Sequence, residues 1–164
     1  MTIRVREAEV ADGADLFPLW SELRAHYAGR DRRIVPAPVS GSEFHAGLQE
    51  LLARPNSAAF VADDEGRVVG FITGSIERNQ PDRLPERHAA VGYLYIDASY
   101  RRMGLGRQLF DAVRRWASAF DDVAHFEMAV LAADTGAEAF WRSLGFSPFI
   151  QRVWAPLSAT EGPG

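Results

Sequence analysis

A short glycine-bearing segment is the part of this sequence best suited to bind an anion. Residues 101–106 read Arg-Arg-Met-Gly-Leu-Gly and stand between a predicted strand and a predicted helix. Glycines at the start of a helix let the backbone approach a ligand, and the unpaired N–H groups there favour negative charge. The segment therefore predicts a pyrophosphate site, or else an ordinary loop whose glycines only ease a tight turn.

Positive charge is concentrated around this segment. From Asp97 to Trp116 the chain carries five arginines and two aspartates, a charge of +3, whereas the whole chain is −4 and the remainder is therefore −7. All 18 basic residues are arginine, and cysteine is absent. These counts exclude Schiff-base lysines, thiolate nucleophiles and disulfides, and the negative total argues against nucleic acid as a partner.

Patterns of apolar residues predict the elements that must position the segment. Period-two alternation predicts strands over 2–7, 58–62, 67–76, 88–96, 126–131 and 147–154. Helical spacing predicts helices that start near Asp12, after Ser40, at Leu105 and at Thr135. No apolar run is long enough for a membrane helix, and the immediate alternation of charged and apolar residues at the start leads us to expect no signal peptide. We expect one cytoplasmic α/β domain over 2–154, followed by a mobile tail over 155–164.

Two motifs in this order resemble those of the GCN5-related N-acetyltransferase (GNAT) family. Arg101-x-x-Gly104-x-Gly106, after a strand that ends at Asp97, is similar to the family's acyl-CoA signature. Residues 126–130 resemble its fifth strand, and 137–146 resemble the following helix with its Gly-Phe exit. The order of elements from 2 to 154 matches as well. The resemblance implies a mixed, mostly antiparallel sheet of six to seven strands, with helices on both faces and acyl-CoA in the splay between the fourth and fifth strands.

The resemblance also implies which residues bind acetyl-CoA as cosubstrate. The pantetheine arm would pair with the fourth strand, where a backbone N–H near Leu94 would hold the oxyanion, and the pyrophosphate would lie on the N–H groups of 102–106. Asp134, at the family's usual Asn position, would either cap the next helix or bond the cofactor arm. The full predicted set is Leu94, Tyr95, Ile96, Arg101, Arg102, Met103, Gly104, Leu105, Gly106, Arg107 and Asp134.

Two proton-transfer residues common in the family are absent. The fourth strand lacks the usual glutamate, and Trp141 replaces a tyrosine, although an indole cannot serve as the acid. His88 and Glu127 are the remaining candidates for the general base, each set against a simpler interpretation as a solvated strand residue. His45 and His125 lack metal-ligand spacing, so no metal is predicted.

The predicted function is acetyl transfer from acetyl-CoA to a primary amine, by direct attack in a ternary complex. The acceptor is a small-molecule amine or a peptide, and the sequence does not select between them. The alternative is an acyl-CoA-binding sensor or interaction module of the same fold, motivated by the missing glutamate and tyrosine. Neither nucleic acid nor membrane is an expected partner, and a homodimer is left open because dimers are common in the family.

Overall fold

A five-stranded mixed sheet forms the centre of the structure, a computed structural model that describes residues 2–158. Neighbouring strands are antiparallel except for the fourth and fifth, which are parallel. The strands, side by side in chain order, are β1 (Ile3–Glu7), β2 (Ser57–Asp64), β3 (Arg67–Arg78), β4 (Arg87–Ile96) and β5 (Phe126–Glu127). The α-helices within 2–158 are α1 (Gly13–Arg30), α2 (Gly41–Ala53), α3 (Leu105–Ala117) and α4 (Thr135–Ser143).

Successive side chains of β2 divide the core between the two faces of the sheet. Ala59 and Val61 pack with residues of α1 and α2, whereas Phe60 and Ala62 pack with residues of α3 and α4. This is the period-two alternation of a strand that is covered on both faces. The sheet therefore separates two apolar layers, one for each pair of helices.

Local sequence signals explain where two of the helices begin. Ser40 caps α2 through a bond from the Glu43 N–H to its hydroxyl, and the Glu43 side chain accepts the Ser40 N–H in return. Helix α3 instead begins after Gly104, whose backbone is left-handed. Its apolar residues at 105, 109 and 113 recur every fourth position and are all buried, so they fix α3 on the sheet.

A bulge in β4 sets the shape of the sheet where the site is expected. Ile72 of β3 pairs with Leu94 and Gly74 pairs with Val91, so that Gly92 and Tyr93 lie opposite Thr73 alone. A bulge bends its strand and increases the local twist. The parallel pairing of β4 with β5 ends just before it, at Ala90 and Glu127. The two strands therefore lose their pairing beyond this point.

The α/β fold class is confirmed, but the expected count of six to seven strands is wrong for the described residues, which form five. The strand predicted over 126–131 shortens to Phe126–Glu127, because β4 bends away from it at the bulge. The strand predicted over 147–154 is absent from the described structure, and its Pro148 has no N–H to donate to a neighbour. Of the predicted tail, 155–158 form no helix or strand, and 159–164 lie outside the described residues.

Candidate functional site

The glycine-bearing loop has the strained backbone of a specialised turn. Arg102 has a φ of 62° and Gly104 a φ of 78°, both in the left-handed region. A non-glycine residue there costs about 1–2 kcal/mol, so the conformation of Arg102 must be held by its surroundings. A Cβ added at Gly104 would meet nothing within 4 Å. Space is therefore open beside the loop at the N-terminus of α3.

The first turn of α3 supplies the unpaired donors. The N–H groups of Leu105, Gly106 and Arg107 precede the first intrahelical bond, which runs from the Gln108 N–H to the Gly104 carbonyl. Gly106 has a structural reason to be glycine, because a Cβ there would lie 3.0 Å from the Phe140 ring. Close packing of α3 against α4 is thus one role of this residue, in addition to the predicted room for a pyrophosphate.

The arginines of the loop differ in their freedom to meet a ligand. Arg101 donates from Nε to the Ile96 carbonyl at 3.1 Å, and its guanidinium lies 5.4 Å from the centre of the Tyr95 ring. Its side chain is therefore held against the C-terminal end of β4. Arg102 and Arg107 are exposed, as is Met103 between them. Arg101 is exposed as well, so all three arginines offer positive charge to an anion beside the loop.

The predicted pantetheine strand lies past the bulge. Leu94 and Ile96 turn their side chains to the α3 layer, and Tyr95 turns to the α1 layer, where its hydroxyl donates to Glu22 at 2.8 Å. Within 2–158 the register with β5 stops at Ala90, so the β5 side of residues 94–96 has no strand partner. Backbone groups on that side can pair with an extended ligand.

Asp134 caps α4 and is also bound by a histidine of α1. Its Oδ1 accepts the Ala137 N–H at 3.1 Å, and its Oδ2 lies 2.7 Å from Nε2 of His26. Burial alone would raise the pKa of Asp134, but these two hydrogen bonds outweigh it and the pKa is lowered. The cap was one of the two predicted roles. The contact with His26, 108 residues away, had no signal in the sequence.

His88 and Glu127 lie together in one cluster on the α1 side of the sheet. Glu127 Oε2 is 3.0 Å from Nδ1 of His88 and 3.1 Å from Nε2 of His125. Arg83 adds a longer contact to the same carboxylate, at 3.4 Å. Nδ1 of His88 is also 2.7 Å from Oδ1 of Asn79. The sequence predicted both candidates but did not predict that they are bonded to each other.

The neighbours of His88 determine which of its nitrogens is free. Both partners of Nδ1 are acceptor oxygens, so in the neutral ring Nδ1 carries the proton and Nε2 keeps its lone pair. Burial lowers the pKa of His88, against the opposing effect of the Glu127 charge. The ring is therefore neutral near pH 7. His88 and Gly92 are four positions apart, about 13 Å of strand, so proton transfer to the bulge requires a chain of several water molecules.

An apolar cavity of about 230 Å³ lies between α1, α2 and the sheet. Thr73 and Tyr93, which face each other across the β4 bulge, line it, and the Tyr93 N–H donates to the Thr73 hydroxyl at 2.9 Å. Sequence reasoning did not find this cavity, since it arises from imperfect packing of α2. Its other walls include Leu16, Trp20, Phe44, Gly47, Leu48 and Leu51.

Residues 2–158 contain neither a cluster of metal-ligating side chains nor a membrane-spanning helix. No three His, Asp or Glu side chains there are arranged to hold a metal ion. No helix in this range is both long and apolar enough to cross a bilayer.

Comparison with known proteins identifies the family to which this fold and site correspond. Residues 20–146 match the acetyltransferase (GNAT) family. The L-2,4-diaminobutyric acid acetyltransferase of Chromohalobacter salexigens is 33% identical over 106 residues, which are 65% of this chain and 50% of that protein. The chain spans about half the length of the curated relatives it matches first.

Solved structures support the fold. A tetramutant of the BH1408 protein from Bacillus halodurans superposes with a TM-score of 0.80 at 22% identity, covering 94% of this chain and 99% of that one. The aminoglycoside N-acetyltransferase AAC(6')-Iy, in complex with CoA, gives a TM-score of 0.77 at 18% identity, covering 96% and 95%. At these identities the likeness establishes the architecture of the chain.

Proposed function

Because the chain belongs to the acetyltransferase (GNAT) family, we propose that it moves an acetyl group from acetyl-CoA to the nitrogen of a primary amine. The observation that carries this proposal is the left-handed loop at the N-terminus of α3, which follows the end of β4, where pairing with β5 has stopped. Relatives named for acetylating diaminobutyrate and aminoglycosides support a small-molecule amine as acceptor. A peptide acceptor is the less supported choice.

Acetyl-CoA fits the residues of this loop and strand. The free N–H groups of α3 and the open space beside Gly104 suit a pyrophosphate, with exposed arginines to balance its charge. The backbone of 94–96 suits the extended pantetheine arm. The residues proposed to bind it remain the full set predicted from the sequence. Asp134 belongs to that set through its place at the N-terminus of α4, although His26 and the cap already engage its carboxylate.

The proposed reaction is a direct acyl transfer. The amine nitrogen attacks the thioester carbonyl carbon, a C–N bond forms, the C–S bond breaks, and the electron pair leaves on sulfur, which then takes a proton. A backbone N–H near Leu94 stabilises the negative charge that develops on the carbonyl oxygen. The amine must arrive neutral or lose its proton at the site.

We further propose that His88 Nε2 accepts the proton of the amine through a chain of several water molecules, while Glu127 holds the ring in the required tautomer. The free lone pair and the neutral state of His88 support this role.

Loss of the imidazole in His88→Ala should lower kcat/KM about 100-fold. Glu127→Gln should change the pH at which activity falls. His45→Ala, an exposed histidine on α2, is the matched control. Full activity with an unaltered pH profile in both variants would remove the pair from the mechanism.

The test of the proposed function is release of free CoA from acetyl-CoA, followed with a panel of amines, amino acids and peptides. Turnover with any class supports the enzyme and identifies the acceptor. Tight binding of acetyl-CoA without turnover on any amine favours the sensor instead. One observation favours that second function: Trp141 is buried against Phe110 and Phe146, so it offers no acid to the leaving thiolate.

We also propose that residues 2–154 form a single acetyltransferase domain and that the chain forms a homodimer. The dimer is supported by exposed apolar side chains in the unpaired segment 147–154, including Phe149 and Trp154 at 70% and 62% exposure. Sedimentation of the protein and of Phe149→Ser tests it, and a monomer at micromolar concentration in both would contradict it. Its location in the cytoplasm stays a prediction.

A further inference from the structure

We propose that the acceptor amine carries an apolar body, a phenyl ring or a short alkyl chain, that binds in the cavity between α1, α2 and the sheet. The acetyl transfer in this inference rests on the proposed function, but the binding of an apolar amine does not. Three features support this proposal: the size of the cavity, the apolar chemistry of its walls and its position beside the β4 bulge.

The walls of the cavity are apolar because an apolar face of α2 lies opposite an apolar face of α1. Phe44, Gly47, Leu48 and Leu51 follow the i, i+3, i+4, i+7 spacing of a single helix face. Only Leu48 among the residues of α2 is buried, and Phe44 and Leu51 are half-buried. Apolar surface that an ordinary core would cover is therefore left available to a ligand.

The charges around the cavity do not suit a polycation. Among its lining residues in the described part of the chain, Glu43 alone is charged, and its carboxylate already accepts the Ser40 N–H at 2.7 Å. The guanidinium of Arg24 lies 4.4 Å from the centre of the Trp20 ring. It therefore already occupies the cation–π position on this ring that a ligand ammonium could take. A second ammonium would lose its hydration here without gaining an ion pair.

The size and position of the cavity define what fits. An apolar cavity of about 150 Å³ can hold benzene, so about 230 Å³ accommodates a phenyl ring with a short arm. Thr73 and Tyr93 lie at the bulge, and Tyr93 directly precedes Leu94, where the proposed chemistry occurs. An amine with its nitrogen at the bulge would thus extend its apolar body toward α2.

Gly47 offers a way to fill the cavity without disturbing the fold. A Cβ at Gly47 would meet nothing within 4 Å, and leucine is favoured over glycine inside a helix by about 1 kcal/mol. Gly29 is the matched control, because it lies in α1, is exposed and also has nothing within 4 Å of an added Cβ. Gly47→Leu and Gly29→Leu should both fold, as circular dichroism can verify.

The experiment measures Kd by calorimetry, in the presence of CoA, for 2-phenylethylamine and for 1,4-diaminobutane. We expect the parent to bind 2-phenylethylamine at least tenfold more tightly than the diamine. Gly47→Leu should lose about tenfold in this affinity, and Gly29→Leu should match the parent. Equal or tighter binding of the diamine, or an unchanged affinity in Gly47→Leu, would overturn the inference.

Turnover measured on the same proteins separates this inference from the proposed function. If 2-phenylethylamine binds and Gly47→Leu weakens it, but no amine is acetylated, the cavity assignment stands and the acetyltransferase proposal fails. If polar amines are acetylated and 2-phenylethylamine neither binds nor reacts, the enzyme stands and the apolar acceptor is wrong.

Discussion

Helices α3 and α2 lie on opposite faces of the same sheet, but only α3 is fully packed against it. Leu109, Phe110 and Val113 of α3 are at most 1% exposed. On the other face α2 buries Leu48 alone and leaves a cavity of about 230 Å³. The difference indicates a division of roles, in which the packed face fixes the loop at 101–106 and the loose face leaves room for an acceptor.

The largest expected effect contrasts one phenylalanine from each face. Phe110→Ala should reduce the free energy of unfolding by about 3–5 kcal/mol, because the side chain is fully buried among Phe126, Trp141 and Phe146. Phe44→Ala removes a half-buried ring from a wall of the cavity and should cost only about 1 kcal/mol. Urea denaturation measures both. Similar losses would mean that the two faces are equally packed.

The next effect tests the loop that the packed face fixes. Gly104→Glu adds a negative charge where the pyrophosphate is proposed to bind and should weaken acetyl-CoA binding about 100-fold or more, as calorimetry can measure. Gly145→Glu is the control, since Gly145 has a φ of 98° and nothing within 4 Å of an added Cβ. Both variants place a side chain on a backbone with positive φ, so strain of this kind is common to the two. If both bind acetyl-CoA like the parent, the proposed loop assignment is wrong.

A smaller effect concerns an ion-pair cluster, which holds part of the α1 side of the sheet firmly together. Arg6 joins Asp12 and Asp63 at 2.8 Å each, and its bond to Asp63, with the Gly66 N–H, lowers the pKa of that carboxyl below its usual value. Because the folded pKa is the lower one, this stabilisation is complete above about pH 4 and is lost as the pH falls through the folded pKa.

Asp63→Asn should therefore lower Tm at pH 7 and reduce the loss of stability in acid. Thermal unfolding of the parent and the variant between pH 2 and 7, followed by circular dichroism, measures both changes. An acid dependence identical to that of the parent would show that Asp63 does not contribute to it.

The smallest effect compares two glycines of α1. Gly29→Ala should raise the free energy of unfolding by about 0.5–1 kcal/mol, since an added Cβ meets nothing and alanine favours the helix. Gly13→Ala brings its Cβ to 3.2 Å from Nδ1 of His45 on α2, so its gain should be smaller. Denaturant titration distinguishes them. An equal gain would indicate that α2 moves freely to admit the methyl group.

The sequence predicted the packed face better than the loose one, because its signals are local. The four-residue spacing after Leu105 and the glycines of the loop each act within one turn of chain, and both the helix and the loop stand where they were expected. The short β5 could not be predicted from its own composition. Its pairing ends because of the bulge at Gly92 and Tyr93, which belongs to another strand.

Contacts between distant residues explain what else was missed at the site. His26 meets Asp134, and His88 meets Glu127, only once α1 and β4 are packed in place. The cavity is a gap between two helices and a sheet, so no single stretch of residues encodes it. Apolar spacing predicted that α2 would be a helix, but not that it would leave part of its apolar face uncovered.

Hydrogen exchange followed by mass spectrometry tests the division between the two faces most directly. Acetyl-CoA should slow the exchange of the amides at 101–108 and leave those of α2 unchanged, whereas 2-phenylethylamine added with CoA should slow α2 as well. Slower exchange in α2 with acetyl-CoA alone, and no change at 101–108, would contradict the account.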